Sequence, residues 1–131
     1  MNLIEAIPKS KAIVKKGRYA YVKTDKVDNF KDYFMVSTDE DEITVVTEEN
    51  KLNTLNVEKL VGYYKLIEFR VAIPFEVVGF LSKIAETIKN QGLNILIVST
   101  FSKDYIMLKE ETYKKGIDAL KDLGFPIEED K

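Results

Sequence analysis

Two stretches of this chain place groups suited to holding a small charged molecule. The first is the change from loop to helix at Pro74–Gly79. From Gly79 to Gln91 the apolar residues Leu81, Ile84, Ala85 and Ile88 recur at helical spacing, which predicts an amphipathic helix stopped by Gly92. A helix start leaves backbone N–H groups unpaired and carries about half a positive charge, so it attracts a carboxylate. Gly79 has no Cβ and lets such a carboxylate approach the backbone. A plain alternative is that Gly79 serves tight packing or an unusual backbone angle. The second stretch is a hairpin tip at Ser102–Asp104. Asp104 there can face an ammonium group, with the Thr100 hydroxyl as a hydrogen-bond partner, although Asp on a turn also bonds its own backbone. Carboxylate at one end and ammonium at the other describe an amino acid.

Most other chemistry is missing. The 131 residues include no Cys, His or Trp, which removes disulfides, thiolate nucleophiles, zinc fingers and imidazole mechanisms. No phosphate-binding glycine loop or serine-nucleophile motif occurs. The adjacent Glu110 and Glu111 have no fixed partner for acid–base work, and acidic residues before a helix favour its dipole. The run Asp39-Glu40-Asp41-Glu42 fails as a calcium loop, because Thr44 and Asn50 stand where glycine and glutamate are required. It reads as a solvated hairpin turn. No catalytic residue, metal ligand or cofactor is expected.

The charge balance speaks against nucleic acid. A net charge of −2, with Lys and only two Arg scattered among carboxylates, lacks the basic stripe that phosphate contacts need. Tyr63, Tyr64 and Tyr105 could stack bases, but Tyr105–Lys109 lacks the ribonucleoprotein motif. No apolar run approaches the roughly 20 residues of a membrane span, and Met1–Lys16 never reaches a signal-peptide core. A soluble, cytoplasmic protein is the expectation.

The elements that must position both stretches follow from periodicity. Tyr63–Ile73 alternates, with Ile67, Phe69, Val71 and Ile73 on one face and Glu68 and Arg70 on the other, which predicts a half-buried strand. After the helix, Asn94–Phe101 reads as an edge strand apolar on both faces, a candidate for pairing with another unit. Tyr105–Lys109 returns as its hairpin partner, Tyr113–Leu123 forms a second helix ended by Gly124, and Phe125–Glu129 a last strand. The order is β-α-β-β-α-β. Before it, Arg18–Thr24, Phe34–Thr38 and Glu42–Thr47 read as strands. Lys26–Tyr33 allows about two turns of helix by its length. Glu48–Leu60 reads as a loop with room for one helical turn.

The run PFEVVGFLSKIAETIKNQGLNILIVSTFSKDYIMLKEE, Pro74 to Glu111, resembles the ACT domain. It is most similar to small two-ACT proteins related to aspartate kinase regulatory domains and to cytosolic arginine sensors. The string FMVSTDEDEITVVTEE, Phe34 to Glu49, is similar to the first module of those proteins. The resemblance implies a ligand loop at Phe75, Glu76, Val77, Val78, Gly79 and Phe80, with Asn94 and Ile95 on the next strand and Thr100, Phe101 and Asp104 on the hairpin. Val77 and Val78 stand where arginine-sensing relatives carry polar or acidic residues, so a small or apolar amino acid is as plausible as arginine.

Together these readings predict an α+β fold: a ferredoxin-like βαββαβ ACT domain over residues 63–131, preceded by a truncated ACT-like half over residues 1–62. The sheets are expected to be antiparallel with helices on one face. The expected function is non-enzymatic regulation by an amino acid bound at an ACT–ACT interface, within the chain or across a homodimer, read by a regulated enzyme or regulator. The alternative is a ligand-free interaction module of the same fold. Neither nucleic acid nor membrane is an expected partner.

Overall fold

A computed structural model of the chain describes residues 2–71 and 78–131. Along it run α1 (Leu3–Lys9), β1 (Lys11–Val14), β2 (Tyr19–Thr24), β3 (Met35–Thr38), β4 (Ile43–Glu48), β5 (Val57–Arg70), α2 (Phe80–Lys89), β6 (Leu96–Ser99), β7 (Asp104–Lys109), α3 (Tyr113–Leu123) and β8 (Ile127–Glu129). Two short 3₁₀ turns occupy Phe30–Asp32 and Glu49–Thr54. The chain forms two compact units, Gly17–Tyr64 and a second made of Met1–Lys16 with Lys65–Lys131.

In the unit Gly17–Tyr64 the strands lie in the order β3-β4-β2-β5, every neighbour antiparallel. That is the strand order of a split βαβ arrangement in which each helix has shrunk to a 3₁₀ turn. The two helical turns expected over Lys26–Tyr33 reduce to three residues, none of them buried, because no apolar stripe draws a helix onto the sheet. Strand structure also begins earlier than the alternation foretells. Val57 and Leu60 pair with Thr24 and Val22 although their own side chains are exposed, so backbone pairing rather than burial extends β5. The acidic hairpin is the solvated turn expected. The Asp39 carboxylate accepts hydrogen bonds from the amides of Asp41 and Glu42, both at 2.9 Å. Tyr19, Ala20, Val22, Val45 and Val46 are buried here.

In the other unit β6 pairs β7, β7 pairs β5, β5 pairs β1 and β1 pairs β8. The β-α-β-β-α-β order appears as expected, with an addition. Strand β1 lies between β5, to which it is antiparallel, and β8, to which it is parallel. The segment before Lys16 thus carries two elements too short to show a period. The Asn2 side chain caps α1 by accepting from the Glu5 amide at 2.9 Å, and the Ser10 hydroxyl donates to the Ala6 carbonyl at 2.7 Å.

One face of this sheet carries all three helices. Ala12 and Val14 pair with Phe69 and Ile67, so these four share a face, and Ile106 and Leu108 join them in one cluster. Onto it pack Ala6 and Ile7 of α1, Ile84 and Ile88 of α2, and Ile117 and Leu120 of α3. At its centre the rings of Phe69, Phe80 and Phe125 meet edge to face, with centroids 5.4–6.0 Å apart in all three pairs. Gly116 lets α3 approach closely, since a Cβ there would lie 2.6 Å from Leu108 Cδ1. Truncating the central ring should be costly. Phe69→Ala is expected to lose ~3–5 kcal/mol of stability, measured by urea unfolding, because the cavity removes a partner from both other rings.

Candidate functional site

The helix α2 begins immediately after Gly79. Gly79 is its N-cap in the left-handed region, φ 81°, where an ordinary side chain would be strained. Among the described residues a Cβ built on Gly79 meets nothing within 4 Å, and its backbone conformation alone favours glycine. As the N-cap, Gly79 has no side chain with which to cap the helix. The Lys83 amide donates to the Gly79 carbonyl at 2.9 Å, and the amides of a helix before its first such bond take acceptors from outside the helix. Val78 is 92% exposed beside them. Phe80 differs from Val78. Its ring is buried in the aromatic cluster, so what it offers a ligand is its amide. Phe75, Glu76 and Val77 lie outside the described residues.

The hairpin between β6 and β7 brings together Ser99, Thr100, Lys103 and Asp104. The Thr100 amide donates to the Lys103 carbonyl at 2.8 Å and its hydroxyl to the same carbonyl at 3.3 Å. Ser99 and Asp104 are register partners, and the Ser99 hydroxyl donates to the Asp104 carboxylate at 2.7 Å. Asp104 therefore has a structural task, but a carboxylate accepts several hydrogen bonds and this one engages a single oxygen. Phe101 at the tip is 88% exposed. Asn94 precedes β6 and accepts from the Ile95 amide at 2.9 Å, while Ile95 packs against the core.

One feature of the hairpin lies beyond what the alternation predicts. Glu68, placed by that alternation on the polar face of its strand, is only 2% exposed. Its carboxylate accepts from Arg70 Nε at 2.6 Å and lies 3.5 Å from Lys15 and 3.8 Å from Lys103. Lys15 in turn reaches Asp130 at 2.9 Å. Ile13, Leu66, Tyr105 and Met107 are also buried on this face, which is why the carboxylate loses water. The only sequence clue was three cations that meet in space but not in order. Burial pushes the Glu68 carboxyl up, yet the Arg70 hydrogen bond and the charges of Lys103, Arg70 and Lys15 outweigh it and hold the group below its ordinary value.

A lowered carboxyl pKa contributes stability above the ordinary value, and that contribution is lost as pH falls through the folded value. Glu68→Gln should cost about 1–3 kcal/mol at pH 7, discounted because its cations are partly exposed. The difference between variant and parent should close as pH falls below 4.5, the ordinary value for a glutamate. Urea unfolding at a series of pH values measures both.

Residues 64–122 match the family model of the ACT domain. No curated protein matches the sequence. Among solved structures, the chain is similar to a Vibrio cholerae protein of unknown function described as a possible transport protein. Identity is 16% and the TM-score 0.79, over 93% of this chain and 95% of that one. An Agrobacterium tumefaciens protein gives 17% identity and a TM-score of 0.72, over 93% and 94% of the two chains. The regulatory subunit of aspartate kinase from Thermus thermophilus, in its ligand-free form, gives 10% and 0.58, over 87% and 95%. At such identities the likeness is one of fold. Residues 64–122 thus match the ACT domain, within a chain similar in fold to a regulatory subunit of aspartate kinase.

Proposed function

We propose that this chain is a non-enzymatic, cytosolic regulatory protein that binds an amino acid at an ACT–ACT interface of a homodimer. The observation that carries this reading is the start of α2 behind an exposed, left-handed Gly79 that has no side chain to cap it. The ligand carboxylate sits against the first-turn amides of α2, where the helix dipole favours it. Its ammonium faces Asp104, with Thr100 alongside. Phe75, Glu76, Val77, Val78, Asn94, Ile95 and Phe101 complete the surroundings in this reading. Regulation follows from differential affinity: the ligand favours one packing of the dimer, and an enzyme or regulator recognises that packing.

A second reading rests on a different observation. At the edge strand β6, Ile97 is 43% exposed, and Asp104 already has a partner in Ser99. A ligand-free interaction module would use that edge for a protein partner and need no amino acid.

A thermal-melt screen of the twenty amino acids separates them, because a ligand that binds only the folded state raises its melting temperature. The first reading expects one amino acid, or a small related group, to do so. Gly79→Asp should then abolish binding, while Gly79→Asn, which tolerates the same backbone, should keep most of it. Asp104→Asn should weaken binding by about one to two powers of ten, the loss of one charge-assisted hydrogen bond. A flat screen, with a homodimer that Ile97→Lys dissociates, supports the second reading.

A further inference from the structure

We propose that Glu68 is a positioning residue for the amino-acid site: acting through Lys103, it holds the β6–β7 hairpin where Thr100 and Asp104 meet the ligand ammonium. This rests on the amino-acid reading given above. Glu68 and Phe69 are consecutive residues of β5, and their side chains lie on opposite faces of its sheet. The Phe69 ring meets that of Phe80, the first residue of α2, at 6.0 Å between centroids. The Glu68 carboxylate lies 3.8 Å from Lys103 Nζ in the hairpin turn. Two neighbouring residues of one strand thus anchor the helix start on one face and the hairpin on the other.

Lys103 joins the tie to the site. Its ammonium faces Glu68, while its carbonyl accepts from the Thr100 amide at 2.8 Å and from the Thr100 hydroxyl at 3.3 Å. Asp104 follows it directly and begins β7. A pull on the Lys103 side chain therefore reaches both groups assigned to the ligand ammonium. The Glu68 end is held from several sides. Arg70 of the same strand donates to it at 2.6 Å, Lys15 stands at 3.5 Å, and Asp130 backs Lys15 at 2.9 Å. Tyr105, next after Asp104, has its hydroxyl pushed up first by burial and then by the Glu68 charge, so the field of that carboxylate reaches the start of β7. A carboxylate this buried needs its cations in place, and of the three cations only Lys103 belongs to the hairpin.

Lys103→Met and Lys15→Met in the full chain test it, since methionine keeps an apolar stem and removes the charge. Lys103→Met is expected to speed exchange of the Thr100 amide with water several-fold, measured by NMR, while the melting temperature of the free protein stays near that of the parent. Lys15→Met removes the nearer cation, yet should leave that exchange rate as it is. Glu68→Gln should act on Thr100 as Lys103→Met does, and combining the two should add little, because both break one contact. A mixture of the twenty amino acids supplies the binding test. It should raise the melting temperature of the parent and of Lys15→Met. Lys103→Met should need about two to five times more of the mixture for the same rise, the scale of one partly exposed ion pair. The proposal is overturned if Thr100 exchange in Lys103→Met matches the parent, or if Lys15→Met speeds it equally. It is overturned too if the parent and Lys103→Met respond to the mixture alike. A parent that the mixture leaves unstabilised removes the amino-acid reading itself, and the positioning role falls with it.

Discussion

The burial of the Phe80 ring against Phe69 and Phe125 is the contact on which the arrangement of the ACT-like fold turns. Phe80 is the first residue of α2, so anchoring its ring fixes where that helix begins. Gly79 must then reverse the backbone immediately before the anchor, and a left-handed glycine does so without strain. The same ring cluster ties β5 through Phe69 to the segment after α3 through Phe125. Hydrophobic packing thus decides which backbone amides stand at the helix start. The polarity that makes this end attractive to a carboxylate is a consequence of the helix itself.

A second constraint acts on the opposite face of the same sheet. A buried carboxylate is tolerated only when its charge is matched, and Glu68 meets that condition through Arg70, Lys15 and Lys103. Lys103 belongs to the turn that also holds Thr100 and Asp104. The hairpin is therefore held twice, by the Ser99–Asp104 hydrogen bond across its strands and by a cation directed at β5. Its tip carries Phe101, 88% exposed.

Legibility in the sequence followed the strength of the periodic signal. The alternation of Ile67, Phe69 and Val71 and the helical spacing of Leu81, Ile84 and Ile88 were plain, because one face of each element is buried over several repeats. Strand β1 was not legible. Four residues are too few to show a period, and its place between β5 and β8 depends on partners more than fifty residues away. The first part of β5 was hidden for another reason: Val57, Leu60 and Val61 are exposed, so burial writes no pattern there. Gly79 and the Thr100–Asp104 hairpin were legible because a turn constrains residue type locally. The charge cluster around Glu68 was not, since its cations come from three separate segments.

The central claim is that the start of α2 and the β6–β7 hairpin respond together to one amino acid. An amide-resolved NMR titration with the amino acid that most raises the melting temperature tests it most directly. The account predicts saturable shifts at Val78–Ser82 and at Thr100–Asp104, described by a single dissociation constant. Shifts confined to other segments, or two regions that titrate with different constants, would contradict it.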